Sequence, residues 1–155
     1  MEKIIKEMKN LCKFIGFVGV LQILNLLTSF DEIKKLDISA LGSVDYVSLG
    51  LSAETLLSIV KVMSVVPMVL GALALFYLCI KGQKEADDPS PAKFHIILSV
   101  ICAVGYAFAA IGLVAGLFSN TNDLVQKLLE IVICVADVPL LVYYFRYAKQ
   151  IRTAE

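Results

Sequence analysis

Residues 96–118 read IILSVICAVGYAFAAIGLVAGLF, a run of apolar and small side chains without a single Asp, Glu, Lys or Arg. A helix on the surface of a soluble protein turns a polar face to water, and this stretch has none to turn. It also exceeds the roughly 20 residues that carry a helix across the hydrocarbon core of a bilayer. The stretch therefore reads as a membrane span, and the other elements are placed around it.

Composition agrees. The chain has 155 residues, of which 59% are hydrophobic, and a mean hydropathy of +0.82. Soluble domains are about 45–50% apolar, and a short chain has too much surface per volume to hide a larger share. Charged residues are 18% and the net charge is zero. The basic excess that nucleic acid demands is missing, so no nucleic-acid partner is expected.

Three further segments fit the same template. Residues 11–30 form the first span, with no charged residue from 14 to 30 and only Gln22, Asn25, Thr28 and Ser29 polar there. Residues 55–80 form the second and 94–118 the third. Residues 124–147 form the fourth and least apolar, because it holds Lys127, Glu130 and Asp137. A mid-helix Asp costs roughly 3 kcal/mol on insertion scales, and each Leu, Ile, Val or Phe returns about 0.3–0.6. The apolar residues of the fourth segment about cancel that cost, so its insertion relies on packing against the other helices. The rival is a helix lying on the membrane surface, which leaves three spans. Residues 31–53 form the outer link, with enough apolar side chains to fold onto the membrane face.

The pattern predicts an all-α fold, one integral membrane four-helix bundle over residues 1–155. Lys3, Lys6, Lys9 and Lys13 precede the first span; Lys81, Lys84 and Lys93 lie between the second and third; Arg146, Lys149 and Arg152 close the fourth. Lys34, Lys35, Lys61 and Lys127 are the remaining basic residues. Basic residues concentrate on the cytoplasmic side, which puts the N-terminus and C-terminus there. A signal peptide is the alternative for the first span, but its apolar run is long for one and no small-x-small cleavage site follows. Gly82 is expected to cap the second helix, residues 81–88 (KGQKEADD) to be a solvated loop, Ser90-Pro91 to start the third helix, and residues 119–123 to turn into the fourth. Pro67 and Pro139 interrupt the second and fourth helices and are expected to kink them.

Each helix also carries polar residues at steps of three and four, which stack on one face. The sets are Gln22, Asn25 and Ser29; Glu54, Ser58, Lys61 and Ser64; His95, Ser99, Cys102 and Tyr106; and Glu130, Cys134, Asp137 and Tyr144. In lipid such faces are expected to turn inward. Counting about 1.5 Å per residue puts Lys61 level with Glu130, a candidate ion pair, and Asp137 near the midplane with Gln22, Ser64 and Tyr106. Asp137, Glu130 and Lys61 are thus the ion-binding or proton-relay candidates, and Gln22, Asn25, Ser64 and Tyr106 the polar lining. A carboxylate within the membrane can hold a cation or exchange a proton; the structural alternative is that Asp137 only fixes helix register. Four-helix proton-coupled exporters use such a carboxylate, but they are shorter and carry it in an early helix, so the likeness stops at the chemistry. Gly105, Ala109, Gly112 and Gly116 form a row of small residues suited to close helix packing, within the bundle or between copies.

The four cysteines, Cys12, Cys79, Cys102 and Cys134, form no C-x-x-C, and His95 is the only histidine. There is no phosphate loop, zinc-protease motif or nucleophile elbow. No catalytic residue, cofactor or metal is expected, and an intramembrane enzyme ranks last. The leading expectation is a small multi-pass membrane protein acting by helix packing, as an accessory or partner-binding subunit or a self-assembling membrane effector. The alternative is a proton- or cation-coupled transporter or channel using Asp137. The partners implied are the lipid bilayer and a second copy or another membrane protein; the location implied is a bacterial cytoplasmic membrane.

Overall fold

The computed structural model describes residues 2–41, 48, 50–88, 93–117 and 124–153. They form four helices, α1 (Glu2–Lys35), α2 (Ala53–Asp87), α3 (Phe94–Leu117) and α4 (Leu124–Thr153), with one turn of 3-10 helix at Ile38–Leu41. The described residues contain no strand. All four helices are long and apolar enough to cross a membrane. The expected Ser90-Pro91 start, the 119–123 turn and most of the outer link lie outside the described residues.

α1 packs most extensively on α2, and α3 on α4, as two hairpins. The hairpins meet chiefly through α1 against α4, while α2 and α3 touch little. Cross-contacts fix the antiparallel register of the first hairpin: Lys9 at the start of α1 pairs with Asp87 at the end of α2, and Lys61 Nζ donates to the Lys34 carbonyl, at 3.1 Å, at the opposite end. Ser52 caps α2, its hydroxyl accepting from Thr55 N–H at 3.1 Å, which satisfies one of the free amides of the first turn.

Large apolar side chains cover the outside of the bundle. Phe17, Leu24, Leu70, Ile101, Phe108 and Val132 are all exposed, and only 11% of the most apolar window of α3 is buried within the protein. A water-soluble bundle would put these residues in its core. Here the core is concentrated instead at the end carrying the chain termini, where Met8, Cys12 and Ile15 of α1, Leu75 and Leu78 of α2, and Leu141, Tyr144 and Ala148 of α4 interlock.

Three expectations are corrected. α2 does not stop at Gly82, and residues 81–88 are not a solvated loop. The helix runs on to Asp87, capped at Asp88, and buries Gly82, Glu85 and Ala86. Gly82 serves as a close-approach point: a Cβ there would run into Cys12 Sγ, Tyr144 Cε2 (2.5 Å) and Met8 Cε (3.1 Å). The polar set of α2 does not turn inward either. Glu54 and Ser58 are exposed and Lys61 and Ser64 only half-buried, because the hydroxyls of Ser58 and Ser64 satisfy themselves on the Glu54 and Val60 carbonyls of their own helix, both at 2.9 Å, and need no interior partner.

This packing generates a contrast between two glycines. Gly82→Ala is expected to destabilise the bundle by about 1–3 kcal/mol, the usual cost of overpacking. Gly112→Ala, where a Cβ meets nothing within 4 Å, is expected to stay within about 0.5 kcal/mol of wild type. Thermal melts of the detergent-solubilised protein, followed by circular dichroism, read both.

Candidate functional site

α4 carries a fully buried carboxylate at mid-helix. Asp137 is 0% exposed, and a polar group held in an apolar interior must find its partner in the protein. Gln22 of α1 supplies it. Its Nε2 donates to Asp137 Oδ2 at 3.0 Å and stands 2.7 Å from the Tyr106 hydroxyl of α3. Tyr106 in turn donates to Gln22 Oε1 at 3.0 Å. The second oxygen, Asp137 Oδ1, is buried without a hydrogen-bond partner among the described residues.

Gly71 of α2 closes the fourth side. A Cβ at this position would lie 2.8 Å from the Tyr106 hydroxyl and 3.3 Å from Gln22 Oε1, so the missing side chain lets α2 pass over the network. All four helices therefore contribute, α2 by an absence of bulk that nothing in its hydropathy signals.

Above this network lies a cavity of about 450 Å³. Gln22 and Tyr106 form part of its wall, and Asp137, hydrogen-bonded to Gln22, is not among the lining residues. Asn25 and Glu130 add polar atoms; Pro67, Met68, Ala109, Gly112 and Leu113 make much of the rest apolar. Glu130, Cys134 and Asp137 follow at steps of four and three on α4, which stacks them on one face, and the weak contact between α2 and α3 leaves this part of the bundle open.

Of the predicted site residues, the structure brings together Asp137, Gln22 and Tyr106, with Asn25 and Glu130 on the adjoining cavity wall. Ser64 is not among them; its hydroxyl goes to its own helix. Lys61 does not reach Glu130, because α2 packs on α1 and only thinly on α4, and its ammonium goes to the Lys34 carbonyl instead. Gly105, Ala109 and Gly112 are exposed, and Ala109 and Gly112 border the cavity. The side chain position of Gly116 lies outside what is described.

A second polar cluster, absent from the sequence reading, sits at the terminal end. Glu85 of α2 is 1% exposed. Its Oε1 accepts from Arg152 Nε of α4, and its Oε2 lies 3.6 Å from His95 Nε2 of α3, too far for a hydrogen bond. The His95 ring meets Tyr144 edge-on at 6.0 Å, and the Tyr144 hydroxyl is buried without a hydrogen-bond partner among the described residues. The signal for Glu85 was present: Leu75, Leu78, Gly82 and Glu85 continue one stripe at steps of three, four and three.

This buried pair predicts a specific mutational pattern. Arg152→Met removes the guanidinium from the buried Glu85 carboxylate and is expected to cost about 2–4 kcal/mol; adding Glu85→Leu is expected to restore most of that loss, since an apolar pair often matches a buried ion pair. Denaturation of the single and double variants checks it.

No protein-family model, curated protein or solved structure matches the chain, so its function is argued from this geometry.

Proposed function

We propose that the chain is a multi-pass membrane protein with four spans and both termini cytoplasmic, and that it moves protons or cations through the cleft that leads to Asp137. The observation carrying this reading is the buried Asp137 carboxylate, one oxygen held by Gln22, a residue of the cavity wall, and the other unpartnered among the described residues. A carboxylate that served only to fix helix register is best stabilised when every oxygen is hydrogen-bonded. An oxygen left over can take a proton or a cation, and ionisable residues within membrane spans mark such pathways. Basic residues flanking the terminal ends of the helices support the orientation, and the apolar exterior supports insertion. The cycle alternates two arrangements. In one, Gln22 holds Asp137 and Tyr106 holds Gln22; in the other the amide swings aside and the carboxylate meets the cavity.

Flux measured in proteoliposomes tests this. Wild type is expected to conduct or exchange protons or monovalent cations, and Asp137→Asn to lose at least about tenfold of that rate, since each factor of ten in rate reflects only 1.4 kcal/mol of barrier. Flux equal in both proteins would remove Asp137 from the path.

A second reading, action by helix packing as an accessory subunit or a self-assembling effector, is favoured by a different observation: Gly105 and Gly112 are exposed and open to approach. Under that reading, bulky Gly105→Leu and Gly112→Leu substitutions are expected to shift a dimer to monomer in mild detergent, read by analytical ultracentrifugation. A chain that sediments as monomer before and after removes this face as a self-association surface.

A further inference from the structure

The cavity makes a demand of its own, separate from Asp137. Pro67 on α2 and Ala109 and Gly112 on α3 line it and are also exposed on the outside of the bundle, so it opens through the gap where α2 and α3 touch little. All three positions fall inside segments 55–80 and 94–118, so under the four-span reading this mouth gives onto lipid and not onto water. Met68, Leu113 and Ile133 make the interior largely apolar. Glu130 is the one charged residue among the described lining residues, and it has an interaction of its own. The wall therefore calls for no counterion.

Asn25 is the exception. Its backbone carbonyl accepts from the Thr28 hydroxyl at 2.8 Å. Asn25 lines the cavity, yet its side-chain amide has no hydrogen-bond partner among the described residues. Gln22 and Tyr106, the neighbouring polar groups, bond to each other. An amide among apolar side chains costs free energy until it is hydrogen-bonded, and it offers both a donor and an acceptor. The volume of about 450 Å³ falls within the roughly 300–1,000 Å³ typical of sites for small organic molecules.

We infer that this cavity binds an uncharged lipophile bearing a hydroxyl or carbonyl group, which enters sideways from the bilayer between α2 and α3. Its apolar body lies against Met68, Leu113 and Ile133, and its oxygen meets the Asn25 amide. The inference goes beyond the transport reading and does not use Asp137; it rests only on the membrane reading. A bilayer acyl chain would match the apolar wall and leave Asn25 unmet. A charged amphiphile would carry into the apolar space a charge that the wall does not balance. The thioether of Met68 adapts to ligands of differing outline, so the polar group is read more strictly than the shape of the body.

The test uses the full chain in detergent micelles and three fluorescent probes built on one ring: 1-pyrenemethanol, 1-methylpyrene and 1-pyrenemethylammonium. Equilibrium dialysis reads their uptake above that of protein-free micelles. Pyrenemethanol is expected to bind saturably and about tenfold more tightly than methylpyrene, the scale of one hydrogen bond whose partner is otherwise left unmet. Asn25→Leu is expected to abolish that preference. Gly112→Leu at the mouth, where a Cβ meets nothing within 4 Å, is expected to weaken both uncharged probes while the helical circular dichroism stays that of wild type. Equal binding of the alcohol and the hydrocarbon means that water satisfies Asn25 and overturns the inference. A preference for the ammonium probe, or a preference for the alcohol that survives Asn25→Leu, overturns it too. Retention of the chain in carbonate-washed membranes tests the spans on their own, so a chain that stays in the membrane and takes up no pyrenemethanol overturns the site alone.

Discussion

The Gln22 side chain ties the two hairpins together at mid-height. Its amide reaches from α1 to Asp137 on α4 and Tyr106 on α3, and α2 passes over it at a glycine. In a hydrocarbon setting each of these polar groups, left alone, would cost free energy on the scale of the whole stability of a small domain. Their mutual satisfaction therefore constrains the azimuth of α1, α3 and α4 at once. Apolar packing alone sets azimuth weakly, because large apolar side chains lie on the outside of the helices as well as in the core.

The two ends of the bundle differ in consequence. At the terminal end α1, α2 and α4 close on one another around Gly82, Tyr144 and the Glu85–Arg152 pair. Toward the opposite end α2 and α3 part, and the interior is a cavity instead of interlocked side chains. A tight base with an open half gives any rearrangement at Gln22 a place to happen. The hairpins meet least where α2 faces α3, while the Glu85–Arg152 pair and the residues around Gly82 hold the register below.

Much of this was legible in the chain. Charge-free runs marked the four helices, and counting residues along them placed Gln22, Tyr106 and Asp137 at one depth before any contact was known. Depth is a one-dimensional quantity, however, and azimuth is not written in hydropathy. Lys61 and Glu130 share a level, yet α2 faces α1 and not α4, so the pair does not form. Ser64, expected at the level of Asp137, lies about two turns from Gly71, the α2 residue that passes over the network, and turns to its own backbone. Glu85 was lost for another reason. The charged string around it looks like a loop when hydropathy is the only guide, because a helix that leaves the membrane keeps its hydrogen bonds while losing its apolar signature. Its partner Arg152 lies 67 positions away, a separation that no local pattern bridges.

The small-residue row of α3 connects the two functional readings and sets them against each other. Ala109 and Gly112 border the cavity and are also exposed, so the surface that would admit a partner helix is continuous with the wall that would admit a ligand. Close packing on Gly112 brings a second backbone to within the reach of its absent side chain, which covers that wall and leaves less room above Gln22. A partner docked there and a ligand seated in the cavity would compete for the same space. The row cannot serve both at one time, so occupancy of one by its ligand would exclude the other, and Gln22, which touches both the cavity and Asp137, is the residue whose position distinguishes the two states.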